Sequence, residues 1–96
     1  MNEDKIIMQA VESSHIRYIG FDKSTLYVAF KIKGSEDVTV YLYENVRESQ
    51  YKLLMQSDSK GTMFAAFFKG SFVYSALDVS SPTQSRLKYV EGEVDG

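Results

Sequence analysis

Thr25-Leu26-Tyr27-Val28-Ala29-Phe30-Lys31-Ile32-Lys33 is the stretch that decides the fold. Leu26, Val28, Phe30 and Ile32 alternate with Thr25, Tyr27, Ala29, Lys31 and Lys33, and a period of two is that of a strand. Gly34-Ser35-Glu36 follows as a turn. Asp37–Glu44 then alternates again, with Val38, Val40 and Leu42 on one face and Thr39, Tyr41 and Tyr43 on the other. Upstream, Ser13–Phe21 reads as a strand with Ile16, Tyr18 and Ile19 as its apolar positions, and Asp22-Lys23-Ser24 turns it into the next. Gly20 interrupts that alternation, which suggests a bulge or bend. Short turns between successive strands predict an antiparallel meander.

After Glu44 the period changes. Asn45 followed by Glu48 has the form of a capping box, which satisfies free amides at a helix start. The helix runs to about Gln56 with Val46, Tyr51, Leu54 and Met55 inward. Ser57-Asp58-Ser59 breaks it and caps a second helix. Met63, Phe64, Phe67 and Phe68 recur there at three- and four-residue spacing, and these large groups around Ala65 and Ala66 suggest burial on two sides. Phe72–Leu77 either continues that helix or extends as a strand. Ser80-Ser81-Pro82-Thr83 is a loop, and Leu87–Val94 reads equally as a last strand or a loose tail. The class is α+β: an antiparallel meander of three or four strands packed on two helices.

Ninety-six residues suit one domain. Residues 1–9 read as a polar leader with a short apolar step, and 78–96 as a C-terminal extension. The leader has two acids and no long apolar core, unlike a signal peptide. No apolar run approaches the ~20 residues of a membrane helix, so a cytoplasmic protein is expected. The 44% hydrophobic and 25% charged composition is globular. Zero Cys removes disulfides, thiolate zinc sites and cysteine nucleophiles. So small a chain without a covalent staple gains from burying more surface, so a homo-oligomer such as a tetramer is expected.

Charge narrows the partners. The acids Glu3, Asp4, Glu91, Glu93 and Asp95 sit at the ends. Between Lys5 and Val90, eleven bases face eight acids. That mild positive bias is far from a duplex DNA binder's footprint, and it suits a small anion better than a polyanion. An enzyme is hard to build from this chain. His15 is the sole histidine and reads as a structural or surface residue. No glycine-rich phosphate loop, paired-carboxylate motif or calcium spacing is visible, and no cofactor or metal is expected.

Two constellations could bind. If Leu26, Val28, Phe30, Val38, Val40 and Leu42 face the helices, then Tyr27, Tyr41 and Tyr43 stand on the opposite face with Lys31 and Lys33. Tyrosines there could stack a nucleobase, or they could pack against a sister subunit. The second is Ser59-Lys60-Gly61-Thr62, opening a helix whose free amides and dipole attract an anion; a plain serine cap is the simpler account. Lys69, near the far end of that helix, complements its C-terminal dipole or reaches a phosphate.

The order of motifs carries a resemblance. Val11-Glu12-Ser13-Ser14, Ile16 and Ile19-Gly20-Phe21-Asp22 are followed by Leu26-Tyr27-Val28-Ala29-Phe30 and Tyr41-Leu42-Tyr43. Val46, Tyr51, Leu54, Ser59-Lys60-Gly61 and Phe64 complete the series. From about Ala10 to Tyr74 the chain resembles the KTSC domain family, whose name refers to the C-terminal domain of some lysyl-tRNA synthetases. One departure is Ala65, where the family often has Asn. The resemblance implies either an RNA- or tRNA-binding module or, by likeness to small phage proteins, a sponge. Such sponges sequester cyclic dinucleotides such as cGAMP, or cyclic ADP-ribose, without cleaving them, and so blunt CBASS and TIR-based defence. The leading expectation is the sponge, with Tyr27, Tyr41 and Tyr43 stacking bases and Ser59, Lys60, Gly61 and Lys69 holding phosphate. A purely structural oligomer or protein-interaction domain is the third reading.

Overall fold

The computed structural model describes residues 5–68 and 70–91. Strands β1 (Ile6–Ala10), β2 (Ile16–Asp22), β3 (Thr25–Lys31) and β4 (Val38–Glu44) precede helices α1 (Glu48–Gln56) and α2 (Lys60–Phe67). A short strand β5 (Tyr74–Ala76), a 3₁₀ turn (Pro82–Arg86) and strand β6 (Leu87–Val90) follow. The sheet order is β5-β4-β3-β2-β1-β6. Every described pairing is antiparallel except β1 with β6, which is parallel. The α+β class and the central meander thus follow the sequence reading, and the sheet is wider than predicted.

The β2–β3 hairpin has the two-residue turn Lys23-Ser24, both at positive φ (47° and 68°). That is the signature of a type I′ turn, whose twist matches the strands it joins. The next loop, residues 32–37, carries Gly34 at φ 78°, in the left-handed region that glycine enters at little cost. Ile32 and Lys33, read as strand, belong to this loop.

The β3–β4 register overturns the predicted faces. Leu26 pairs with Tyr43, Val28 with Tyr41, and Tyr27 with Leu42. Directly paired residues share a face, so Tyr41 and Tyr43 lie with Leu26 and Val28 on the helix side. Val38, Val40 and Leu42 lie on the other side with Tyr27. A one-residue shift in register exchanges every side chain between faces, and here the connecting loop sets that parity. The apolar pattern could not, because both faces are apolar.

On the helix side Ile16, Ile19, Leu26, Val28 and Tyr43 bury against Val46, Leu54, Phe64 and Phe68. Burying each such large apolar side chain is worth ~1.5–3 kcal/mol. Phe64 meets Phe30 and Tyr43 edge-on at 5.5 and 5.1 Å, and Tyr51 stacks on Phe21 at 5.0 Å. Phe67 does not join this core and is exposed. An eight-residue helix with one sheet beneath it has only one face to bury.

The opposite face is filled mainly by strand residues, with Leu77 from the segment after β5 packed on them. Ile6, Met8, Tyr18, Tyr27, Ala29, Val40 and Leu87 form a second buried cluster. Ile6–Ala10, within and just past the expected leader, is therefore a core strand. Leu87–Val90, inside the expected extension, is a strand and not a tail. Tyr89 packs on Tyr18 at 4.7 Å, and the Tyr18 hydroxyl donates to Glu91. Gly20 does not mark the bulge. The register shift lies between Ile16 and Tyr18, while a Cβ on Gly20 would come within 2.6 Å of the Ile7 carbonyl oxygen and the Met8 sulfur. Glycine is there because β1 approaches closely. The predicted helix cap also moves: α1 starts at Glu48, with the Arg47 amide donating to Gln50 Oε1 at 2.8 Å. Asn45 instead ends β4 at φ 61°, a conformation that asparagine tolerates.

Candidate functional site

A cleft of about 1350 Å³ opens on the helix side of the sheet. Its floor is sheet: Phe30, Thr39, Tyr41 and Tyr43, with Tyr74 at the β5 edge. One wall is the start of α2, Ser59 to Thr62, and the other is the β1–β2 loop, Glu12 to His15. The two walls meet closely. A Cβ on Gly61 would lie 2.8 Å from Ser13 Oγ, so only glycine lets α2 begin against this loop without displacement. Ser13 Oγ is held in place by accepting from the His15 and Ile16 amides, each at 3.3 Å. Lys31 Nζ donates to the Ser13 carbonyl at 2.6 Å and fastens the loop to β3.

The aromatic floor is graded in exposure. Tyr43 is buried, Tyr41 half-buried and Tyr74 exposed. Tyr74 stacks on Tyr43 at 5.5 Å and leans on Tyr41 at 5.9 Å. Burial pushes the Tyr43 hydroxyl pKa up, and the neighbouring Tyr74 and Tyr41 add to the shift. Tyr43 is thus a neutral hydroxyl at physiological pH, able to donate a hydrogen bond.

The α2 start carries donors. Ser59 is the N-cap, but its side chain makes no capping bond, and its carbonyl accepts from the Met63 amide at 2.9 Å. The first-turn amides of a helix have no helical acceptor, and the dipole there is positive. Lys60 Nζ donates to the Ser57 carbonyl at 2.9 Å, across the α1–α2 junction. An ammonium has three donors, so two remain for a ligand. Ser14 Oγ and His15 Nδ1 lie 2.9 Å apart on the opposite wall. Glu12 and Asp58 are acceptors at the rim.

Of the residues singled out from the sequence, Tyr41, Tyr43, Ser59, Lys60 and Gly61 line this cleft together. They do so because the tyrosines face the helices and not, as predicted, away from them. Tyr27 is buried on the far face and takes no part. Lys69 lies outside the described residues. Sequence reasoning missed the Ser13-Ser14-His15 wall and Tyr74. One signal pointed to that wall: Ser13-Ser14 and Ser59-Lys60-Gly61 both belong to the motif series, and the fold sets them face to face. Ala65, where the series departs, is exposed in the cleft wall. Among the described residues no helix is long and apolar enough to cross a membrane.

Comparison with known proteins bears on the same region. The family model of the KTSC domain matches residues 12–72. The crystal structure of a KTSC domain protein from Yersinia pestis is similar, with a TM-score of 0.66 and 31% sequence identity. The match covers 76% of this chain and 99% of that one. No curated protein shows significant similarity. Both cleft walls and Tyr41 and Tyr43 fall within the matched residues, whereas β1, β5 and β6 lie outside them.

Proposed function

The chain belongs to the KTSC domain family, and from its cleft we propose that it binds a cyclic nucleotide and holds it without cleaving it. The observation that carries this reading is that Tyr41 and the Ser59–Gly61 helix start line one cleft. A nucleotide needs both: an aromatic ring for its base and amide or ammonium donors for its phosphate. Stacking on a tyrosine is worth ~1–3 kcal/mol per base. The α2 amides and Lys60 supply the anion end. Glu12 and Asp58 oppose a phosphate placed beside them, and they suit ribose hydroxyls or exocyclic amines. The volume exceeds the ~300–1,000 Å³ common for drug-sized ligands, which favours a ligand the size of a dinucleotide. The biological role that follows is a sponge, which withdraws a cyclic dinucleotide such as cGAMP, or cyclic ADP-ribose, from the defence system that reads it.

The test is depletion and recovery. The protein is incubated with a panel of cyclic nucleotides, filtered, heated, and the released material chromatographed. One nucleotide should be depleted and recovered intact. Tyr41→Ala and Lys60→Ala should each weaken its binding by roughly tenfold or more, as loss of a stacking contact or a charge-assisted hydrogen bond implies. New products would make the chain an enzyme. No depletion, with RNA affinity falling steeply in salt at about −0.7 per phosphate contacted, would replace this reading with RNA binding.

A further inference from the structure

The two edges of the sheet are built differently. The β6 edge is guarded by charge: Lys88 lies within the strand, with Arg86 and Glu91 flanking it. Charged side chains on an edge discourage pairing with another strand. Among the described residues the β5 strand has no such charge within it or immediately beside it. From Gly70 to Leu77 there is no charged residue and no proline. All three residues of β5 are exposed, and Val73 and Tyr74 are 68% and 56% accessible.

The backbone of β5 alternates in direction. The Val73 carbonyl accepts from the Glu44 amide at 2.9 Å, and the Leu77 amide donates to the Val40 carbonyl at 2.8 Å. Residues 73, 75 and 77 therefore turn their peptide groups toward β4, with Ser75 paired to Leu42. Tyr74 and Ala76 turn theirs outward, away from the sheet.

We infer that this edge is the seam of a two-fold homodimer, in which β5 pairs antiparallel with β5 of a second copy about an axis at Ser75. The register follows from the outward groups. Tyr74 of each copy lies opposite Ala76 of the other, and these two pairs exchange N–H and C=O bonds. Ser75 then faces Ser75 in the non-hydrogen-bonded pair on the axis. A strand without charge can lie against its own copy with no like charges opposed. The helix-side faces of both copies lie on the same side of the joined sheet, so the two clefts flank the axis with a Tyr74 at the inner margin of each.

Sedimentation of the full chain across a concentration series should show a species of twice 10.9 kDa growing with concentration. Ser75→Lys and Ser75→Glu should each shift the population to monomer while leaving the melting temperature of dilute protein unchanged, because Ser75 is exposed in the single chain. Mixing the two variants should restore the dimer. The chain has no cysteine, so Ser75→Cys adds a single thiol. Its Cα would lie ~4.5 Å from its mate, within disulfide reach, and mild oxidation should give a covalent dimer where Ser71→Cys does not. The inference is overturned if the wild type remains at 10.9 kDa up to its solubility limit. It is equally overturned if the dimer survives both charge variants, or if Ser75→Cys and Ser71→Cys cross-link alike.

Discussion

The two faces of the sheet use the same strands and the same period, yet they are closed by different means. The helix side is covered by α1 and α2, and its cover is incomplete, because a cleft stays open over Phe30, Thr39, Tyr41 and Tyr43 beside the start of α2 and the β1–β2 loop. The far side is closed mainly by strand residues, with Ile6, Met8 and Leu87 brought in by β1 and β6 and Leu77 packed on them from the segment after β5. Strands paired edge to edge leave little open space among their own side chains. A short helix laid on a sheet must begin somewhere, and its start leaves a wall of free amides beside a floor of side chains. The tyrosines illustrate the difference. Tyr27 is packed into the far-face core, whereas Tyr41, Tyr43 and Tyr74 form a floor that grades from core to solvent.

The largest effects should come from the two cores. Phe64 contacts Phe30, Tyr43 and Phe68, so Phe64→Ala should cost ~3–5 kcal/mol of stability and should also weaken ligand binding. Ile6→Ala, on the far face, should cost ~2–5 kcal/mol in denaturant melts while leaving the affinity of the folded protein unchanged. A loss of affinity in Ile6→Ala at full folding would break the division between a binding face and a structural one.

A smaller effect is expected at the wall contact. Gly61→Ala should destabilise by ~1–3 kcal/mol, because the new methyl meets Ser13 Oγ at 2.8 Å. Adding Ser13→Ala should recover part of that loss, measured as the double-mutant coupling. Additive effects of the two substitutions would mean that the walls do not touch in solution.

The smallest effect is alkaline. Burial raises the pKa of Tyr43 on the helix side and of Tyr27 on the far side; for Tyr27 the Asp22 charge adds to the shift and Arg86 partly offsets it. A tyrosine raised above its unfolded value of about 10 favours the fold fully below that pH. The contribution is lost as pH rises toward the folded value, since the unfolded chain then ionises first. Stability should therefore fall above about pH 10, and Tyr27→Phe and Tyr43→Phe should each flatten the slope of a pH series of melts. A slope unchanged in both variants would place the responsible ionisations elsewhere.

How far the chain could be read follows from the range of each signal. The strands around Leu26 and Val40, the two helices and the break at Ser57–Ser59 are local, and their periods and turn residues stand within a dozen positions of one another. The meander follows because its turns are short. The Tyr41, Ser59, Lys60 and Gly61 candidates were legible as types for the same reason: aromatic alternation and a glycine near a cap are local chemistry. What only the tertiary structure decided is which face each strand turns inward, and which distant segments meet. Loop 32–37 set the parity of β4 and carried Tyr41 and Tyr43 under the helices. β1 found β6 some eighty residues away, in a parallel pairing that leaves no hairpin signature. Ser13 met Gly61 beside the cleft in the same manner. Such contacts depend on sheet order and on one atom's clearance at Gly20 and Gly61, and neither is written in the hydropathy of any single segment.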